Sequence, residues 1–422
     1  MALPLGYLLT AAVAFVLAAS GTMWLAPDLA GHYYHPRVVA LAHTVTLGWI
    51  TLTIMGASLQ LIPVVLERPL WSERLARWQY GVLVVGMAGM ISHFYTATWP
   101  GLAAAAVVVA AGTGLYIVNV AASMRGLPAW SFTARPMGLA LAGLALTLVF
   151  GLTLAADRIW HFLPGQFFPT IHAHFHLALL GWIAPMVIGV AARVYPMFLM
   201  APPPRGWPGM LQLWGLAVGV PVLTLGLLAA PALVAPGVLA VGAAVAGHVV
   251  WVARMAGQRE RTALDWGLRF VLVATGFLAI AAILGVGLAC GVLSGPRAGL
   301  AYAAAALGGW VSLTIVGMLL KIVPFLVWYR VYAPRVGRGP VPTLAALSAP
   351  SLEAAAFVLL AAGMAALTAA AATGSAVSIR LAGAVLTAGA LTFAAALGRI
   401  LRHLARHPGH RPTASPAEQP IR

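Results

Sequence analysis

Charge is what this chain has least of. Only 8% of its 422 residues are Asp, Glu, Lys or Arg, and just 8 are acidic. Soluble chains carry about 25% charged residues, so a water-soluble globular domain is excluded. Lysine occurs once, at Lys321, a bias toward arginine that reads as composition and not as function. Cysteine also occurs once, at Cys290, which excludes an intrachain disulfide and a thiolate metal cluster. The apolar runs show no period-two alternation, which excludes a membrane β-barrel. Apart from Asp157 and Glu353 near helix ends, no carboxylate stands out within the apolar runs, so no proton-pumping route is visible.

What remains is hydrophobic. The chain is 62% apolar, with mean hydropathy +0.96. A helix crosses a bilayer with about 20 apolar residues, and backbone groups in lipid must be satisfied internally. The expected fold class is therefore an all-α polytopic membrane protein. Twelve spans are expected, near 4–26, 38–66, 78–97, 100–123, 137–156, 170–200, 211–231, 233–254, 267–293, 299–329, 350–373 and 378–402. The first resembles the apolar core of a signal peptide, but it lacks a basic leading segment and is expected as a helix.

A signature recurs three times: His43 with Gly48-Trp49, Gly56 and Pro63; His176 with Gly181-Trp182, Gly189 and Pro196; Ala304 with Gly309-Trp310, Gly317 and Pro324. The copies lie 133 and 128 residues apart, which predicts a triplicated architecture and not a solenoid. One transmembrane domain, 1–408, is expected, with pseudo-threefold repeats of four helices at about 1–135, 136–262 and 263–408. The tail 409–422, in a stretch rich in Arg, Pro and His, is expected to be disordered and cytoplasmic.

The net charge of +16 does not signal nucleic acid. Arg37, Arg158, Arg297 and Arg380 follow odd-numbered spans; the other twenty of the 24 basic residues follow even-numbered spans, lie at their inner ends, or fall in the tail. By the positive-inside rule both termini are cytoplasmic, in a bacterial-type inner membrane, and lipid is the surrounding partner.

Twelve histidines are present, and eight of them (His32, His35, His43, His93, His161, His172, His174 and His176) gather at the outer side. Ionisable residues inside a membrane are costly and usually functional. On a helix His172 and His176 share a face, whereas His174 points about 200° away. The three can serve two centres, or one centre plus a hydrogen-bonding partner; the alternative for His172 and His174 is that of helix-terminal polar groups. His43 and His176 occupy the same repeat position, and two facing imidazoles at one depth suit a bis-histidine haem iron. The candidate metal ligands are His43, His172, His174, His176 and His93. Gly48, Gly56, Gly181 and Gly189 are assigned first to helix packing and second to cofactor clearance. Pro63, Pro196 and Pro324 are expected to kink their helices. Three residues before each proline stand Gln60, Arg193 and Lys321; Arg193 and Lys321 are expected to snorkel to the interface. The His32-Tyr33-Tyr34-His35 loop has two readings, a copper-binding loop or one at the headgroups, where tyrosine is common; the second is expected.

Ala173-His174-Phe175-His176, followed by Gly189 and Pro196, resembles the helix of subunit I of the haem-copper oxidase superfamily that carries ligands for both haems. His43-Thr44, preceded by Pro36-Arg37, resembles the helix supplying the other low-spin haem ligand. The resemblance implies twelve helices in three arcs of four, with haem b as cofactor, copper as a further one, and Arg37 and Arg158 as partners of the haem propionates. It implies electron transfer from a donor, or binding of a small gas such as nitric oxide. The chain departs from the pattern in three ways. The two-histidine motif is on the sixth span and not the tenth, Ala304 stands at the matching site of the tenth, and span 211–231 has no histidine for the usual copper site. These departures make an ordinary oxygen-reducing centre unexpected and bring the chain closer in style to the small haem- and copper-containing NnrS-type proteins. Two other classes fit the composition: a transporter or permease, and a copper-handling or assembly protein without turnover.

Overall fold

The computed structural model describes residues 2–127, 129–202, 206–260 and 263–406. The tail expected at 409–422 lies outside them. Among the described residues all regular structure is helical. Eleven helices are long and apolar enough to cross a membrane: Leu3–Trp24, Pro36–Val64, Trp99–Met124, Ala134–Trp160, Phe167–Leu199, Trp207–Leu228, Pro231–Gly257, Trp266–Ala289, Gly295–Val331, Pro350–Thr373 and Ala376–Arg406. One more long helix, Glu73–Tyr95, lies third in chain order and makes twelve. It is 23 residues long but opens on Glu73, Arg74 and Arg77, so its mean hydropathy falls short of the others. The helices are numbered first to twelfth below in chain order.

Local chemistry starts and stops them. Ser72 and Asp265 cap the third and ninth helices, each side-chain oxygen accepting a backbone N–H 3.1 Å away. Proline opens the second, fourth, seventh, tenth and eleventh helices at their first positions, where a missing N–H costs nothing. Gly374 ends the eleventh in the left-handed conformation, φ 69°, that only glycine adopts without strain.

The third and fourth helices, the seventh and eighth, and the eleventh and twelfth pack as pairs, and the first helix closes the ring against the twelfth. The sixth and tenth are the most deeply buried. In lipid no hydrophobic force draws helices together, so small residues that admit close approach decide the crossings. A Cβ on Gly112 would sit 2.8 Å from the Leu83 nitrogen, and one on Gly215 would sit 2.6 Å from the Ala240 carbonyl oxygen. Trp24 and Trp160 are exposed at the ends of the first and fifth helices, Trp71 and Trp130 between helices, and Trp207 at the start of the seventh, positions where aromatic residues are common in membrane proteins.

The second, sixth and tenth helices each change hydrogen-bond register in mid-course. Thr44–Thr51, Leu177–Ile183 and Ala304–Ser312 are π-helical, and each stretch contains one Gly-Trp pair of the recurring signature. In two of them the stretch begins at the residue after a histidine, His43 or His176. π turns inside α-helices occur frequently at functional sites. Pro63, Pro196 and Pro324 stay inside their helices.

Candidate functional site

A cavity of about 770 Å³ opens among these central helices and runs toward the seventh, eighth and ninth. Its walls are mostly aliphatic, and His43, His172, His174, His176, Arg158 and Tyr302 line it.

The histidines are held by backbone carbonyls. His43 Nδ1 lies 2.8 Å from the Val39 oxygen, His176 Nδ1 2.7 Å from that of His172, and His174 Nδ1 3.1 Å from that of Thr147 on the fifth helix. A carbonyl only accepts, so each Nδ1 carries the proton and each Nε2 is left as a lone-pair donor. Among the described residues none of these three Nε2 atoms has a hydrogen-bond partner. His172 differs, since its Nε2 shares a 3.0 Å hydrogen bond with the Tyr33 hydroxyl.

Ring contacts sort the imidazoles onto two sides of the sixth helix. His43 stacks on Phe94 at 4.8 Å between centroids, and His174 is held to the Thr147 carbonyl of the fifth helix. His176 is turned to the tenth helix, where it stacks on Tyr302 at 5.9 Å. The repeat register pairs His43 with His176; in the structure the two rings rest against different neighbours, His43 on Phe94 of the third helix and His176 on Tyr302 of the tenth.

Arg158 projects into the cavity from the end of the fifth helix. Its guanidinium donates to the Tyr34 hydroxyl and lies 4.6 Å from the Trp99 ring centroid, 4.7 Å from Phe167 and 5.1 Å from Tyr34. Its Nε is buried without a partner, and so is Thr113 Oγ1 on the cavity wall. Arg37 and His93 are not part of the wall. Arg37 pairs with Asp28 at 3.9 Å and lies over Tyr95, and the His93 ring shares a 2.6 Å hydrogen bond with Thr98.

The loop 32–35 lines this cavity through His32, Tyr33 and Tyr34. Tyr33 reaches His172, Tyr34 reaches Arg158, and the Tyr34 backbone N–H donates to His32 Nδ1 at 3.0 Å. Burial pushes both phenols up from their ordinary range, with Arg158 opposing it at Tyr34. The signature glycines all serve packing. Gly48 faces Ala14, Gly56 faces Tyr7, Gly181 faces Gly143, and Gly189 faces the Thr133 carbonyl. None of them lines the cavity; Gly151, Gly242, Gly285 and Gly299 do. Lys321 pairs with Asp265, the cap of the ninth helix, and does not simply snorkel.

No family model matches the chain, and no curated protein matches it significantly. Among solved structures, a haem-copper terminal oxidase determined as a dimer by cryo-electron microscopy is similar over 96% of this chain and 84% of its own, with TM-score 0.50 and 14% identity. The fold is that of a haem-copper oxidase subunit I. At this identity the likeness concerns the path of the helices and leaves the site to be judged on its own residues.

Among the described residues no three histidine, cysteine or carboxylate side chains gather as one metal site, and the residues present fit a flat group whose iron takes single imidazoles. Metal-bound histidine almost always donates its other ring N–H to a carbonyl, carboxylate or water, and three imidazoles here do so. A flat apolar cofactor needs an apolar cavity with few polar groups, and Arg158 supplies a cation for an acidic substituent. Tyr302 and Thr113 were not marked by the sequence. Tyr302 had a signal, because it lies two residues before Ala304 as His174 lies two before His176.

Proposed function

We propose that this chain is a haem-binding integral membrane protein of the oxidase fold, working in electron transfer or in binding a diatomic gas such as nitric oxide. The single observation that supports it most is the set of three imidazoles with Nδ1 tied to carbonyls and Nε2 open to one apolar cavity. A b-type haem bound there would supply an iron that is closed by two histidines or open with one.

In this reading His43 and His174 serve one side of the sixth helix. His176 serves the other, with Tyr302 stacked on its ring and the His172 carbonyl fixing its tautomer. Arg158 orients an acidic substituent at the outer rim, and Tyr33 and Tyr34 exclude water above it. The seventh helix, Trp207–Leu228, contributes no histidine, and among the described residues no three potential ligands gather as one metal site, so copper has less support here than haem. The chain lies in a bacterial-type inner membrane with both termini cytoplasmic and the histidines at the outer side, and its three four-helix segments derive from one repeat. An electron donor and a gas ligand are its partners, with lipid around it.

The test is the visible spectrum of the purified protein with metal analysis. The reading expects a Soret band and at least one haem per chain, lost in the His43→Ala/His174→Ala/His176→Ala variant. A colourless, metal-free protein that haem does not restore refutes it and favours a transporter. Copper without haem refutes the haem assignment and favours a copper-handling role.

A further inference from the structure

A second cavity, of about 400 Å³, lies far along the chain from the histidines. Arg399, Arg402, His403 and Arg406 of the twelfth helix form one wall, and Ala346 and Leu347 of the short helix Leu344–Leu347 form the other. The spacing i, i+3, i+4, i+7 puts all four basic side chains on one helical face. Among the described residues no carboxylate lines the cavity. Arg399, Arg402 and Arg406 are exposed, and among the described residues none of them has an ion pair or a hydrogen bond. His403 is fixed there by a 2.7 Å hydrogen bond to the Tyr332 hydroxyl.

Like charges at neighbouring positions on a helix repel. Three unpaired guanidiniums on one face of a hydrophobic chain call for an anion between them. The position along the helix says which kind. The twelfth helix has 31 residues and so is about 46 Å long, while the hydrocarbon core is about 30 Å thick. Its last turns therefore stand in the headgroup layer. On the neighbouring tenth helix, Phe325 and Tyr329 stack on each other in exposed positions at the same end, as aromatic residues do at the membrane–water boundary. Leu347 and Ala346 give the cavity an apolar wall for the glycerol and first methylenes.

We propose that this cavity is a binding site for the phosphodiester headgroup of an anionic phospholipid, held by Arg399, Arg402 and Arg406. The site is independent of any haem. A phosphate offers oxygens to several guanidinium forks at once, and basic pockets between membrane helices bind acidic lipid headgroups in this way.

The full chain is purified in a neutral detergent and titrated with phosphatidylglycerol, counting bound lipid by native mass spectrometry. Each arginine near a charged surface changes lipid affinity by about fivefold, so R399Q/R402Q/R406Q is expected to bind phosphatidylglycerol about a hundredfold more weakly, and R402Q alone about fivefold. R74Q/R77Q/R125Q, with the same loss of charge elsewhere, is expected to keep the affinity of the unaltered chain. Circular dichroism checks that each variant is folded. Equal loss in the two triple variants, or equal binding of phosphatidylcholine, overturns the proposal. Displacement of the lipid by millimolar inorganic phosphate also overturns it, assigning the site to a free anion.

Discussion

Gly143 of the fifth helix is the residue whose replacement most directly tests how the site is held. A methyl group there would fall on the carbonyl group of Gly181 and lie 2.8 Å from its Cα. Gly181 sits in the π-helical stretch behind His176, so the obstacle is backbone and cannot rotate away as a side chain would. The helices must separate. Forcing an extra methyl group into a packed interior costs about 1–3 kcal/mol, and an immovable carbonyl places this case toward the upper end. Alanine in a helix also gains about 1 kcal/mol over glycine. Gly114 of the fourth helix controls for that gain, because nothing lies within 4 Å of a Cβ added there. Gly143→Ala is therefore expected to be less stable than Gly114→Ala by about 1–3 kcal/mol. Unfolding in mixed micelles of increasing dodecyl sulfate fraction, followed by tryptophan fluorescence, measures the difference. Separation should also disturb His174, because Thr147, which accepts from its Nδ1, lies one turn beyond Gly143 and bonds back to the Gly143 carbonyl at 2.8 Å. Equal stability of the two variants would refute the claim that the fifth and sixth helices cross backbone to backbone.

Two further perturbations probe other parts of the structure. Asp265→Asn keeps a helix cap but removes the charge facing Lys321, whose side chain is 16% exposed; a double-mutant cycle with Lys321→Met should give a coupling of about 1–2 kcal/mol, below the full cost of breaking a deeply buried pair, and a coupling near zero would show that solvent screens the pair. Tyr33→Phe removes the hydroxyl bonded to His172, which costs about 1 kcal/mol locally; hydrogen exchange across residues 25–35 should quicken with little change in global stability. In the unaltered chain that loop should stay protected up to about pH 10 and loosen only above it, since a phenol raised by burial contributes its stability in the neutral form and loses it as pH rises through the folded value. Loosening that begins near pH 7 would contradict this assignment.

The membrane class and helix order were legible because apolar runs of spanning length have few other fates. The third helix is the instructive exception: its first turns, with Glu73, Arg74 and Arg77, read as an approach to the membrane and fold as helix. His43, His174 and His176 stood out as candidates because imidazole in an apolar run is rare, and they line one cavity. Their partners were not. Phe94, Thr147 and Tyr302 come from other helices, and composition carries no trace of which helix turns toward which. The π-helical stretches were equally hidden, because shifting the hydrogen-bond register requires no particular side chain. Position-by-position comparison of the recurring signature therefore aligned His43 with His176 correctly by number while missing the rotation that turns His176 toward Tyr302. The basic stripe of the twelfth helix was visible as charge but was read as part of a general inner skirt, since the wall opposite it comes from the short helix Leu344–Leu347, distant in sequence.

That rotation leads to a prediction that separates one centre from two. If His43 and His176 held a single iron between them, His43→Ala and His176→Ala would abolish the same absorption species, and His174→Ala would leave it. The side-chain contacts argue for another partition. His43 stacks on Phe94 of the third helix and His174 is held by the Thr147 carbonyl of the fifth, whereas His176 stacks on Tyr302 of the tenth. His43→Ala and His174→Ala should therefore remove one spectral species together, and His176→Ala a different one. Tyr302→Ala should shift only the species lost in His176→Ala, because the ring touches His176 and Phe175 and none of the other histidines. Tyr302→Phe, which keeps the stacked face, should restore it. Electron paramagnetic resonance on the cofactor-loaded protein resolves low-spin from high-spin iron and so reads each centre separately. Joint loss of one species in His43→Ala and His176→Ala would reinstate the repeat register as the rule that places the ligands, and would mean that the stacking of Tyr302 gives way when the cofactor binds.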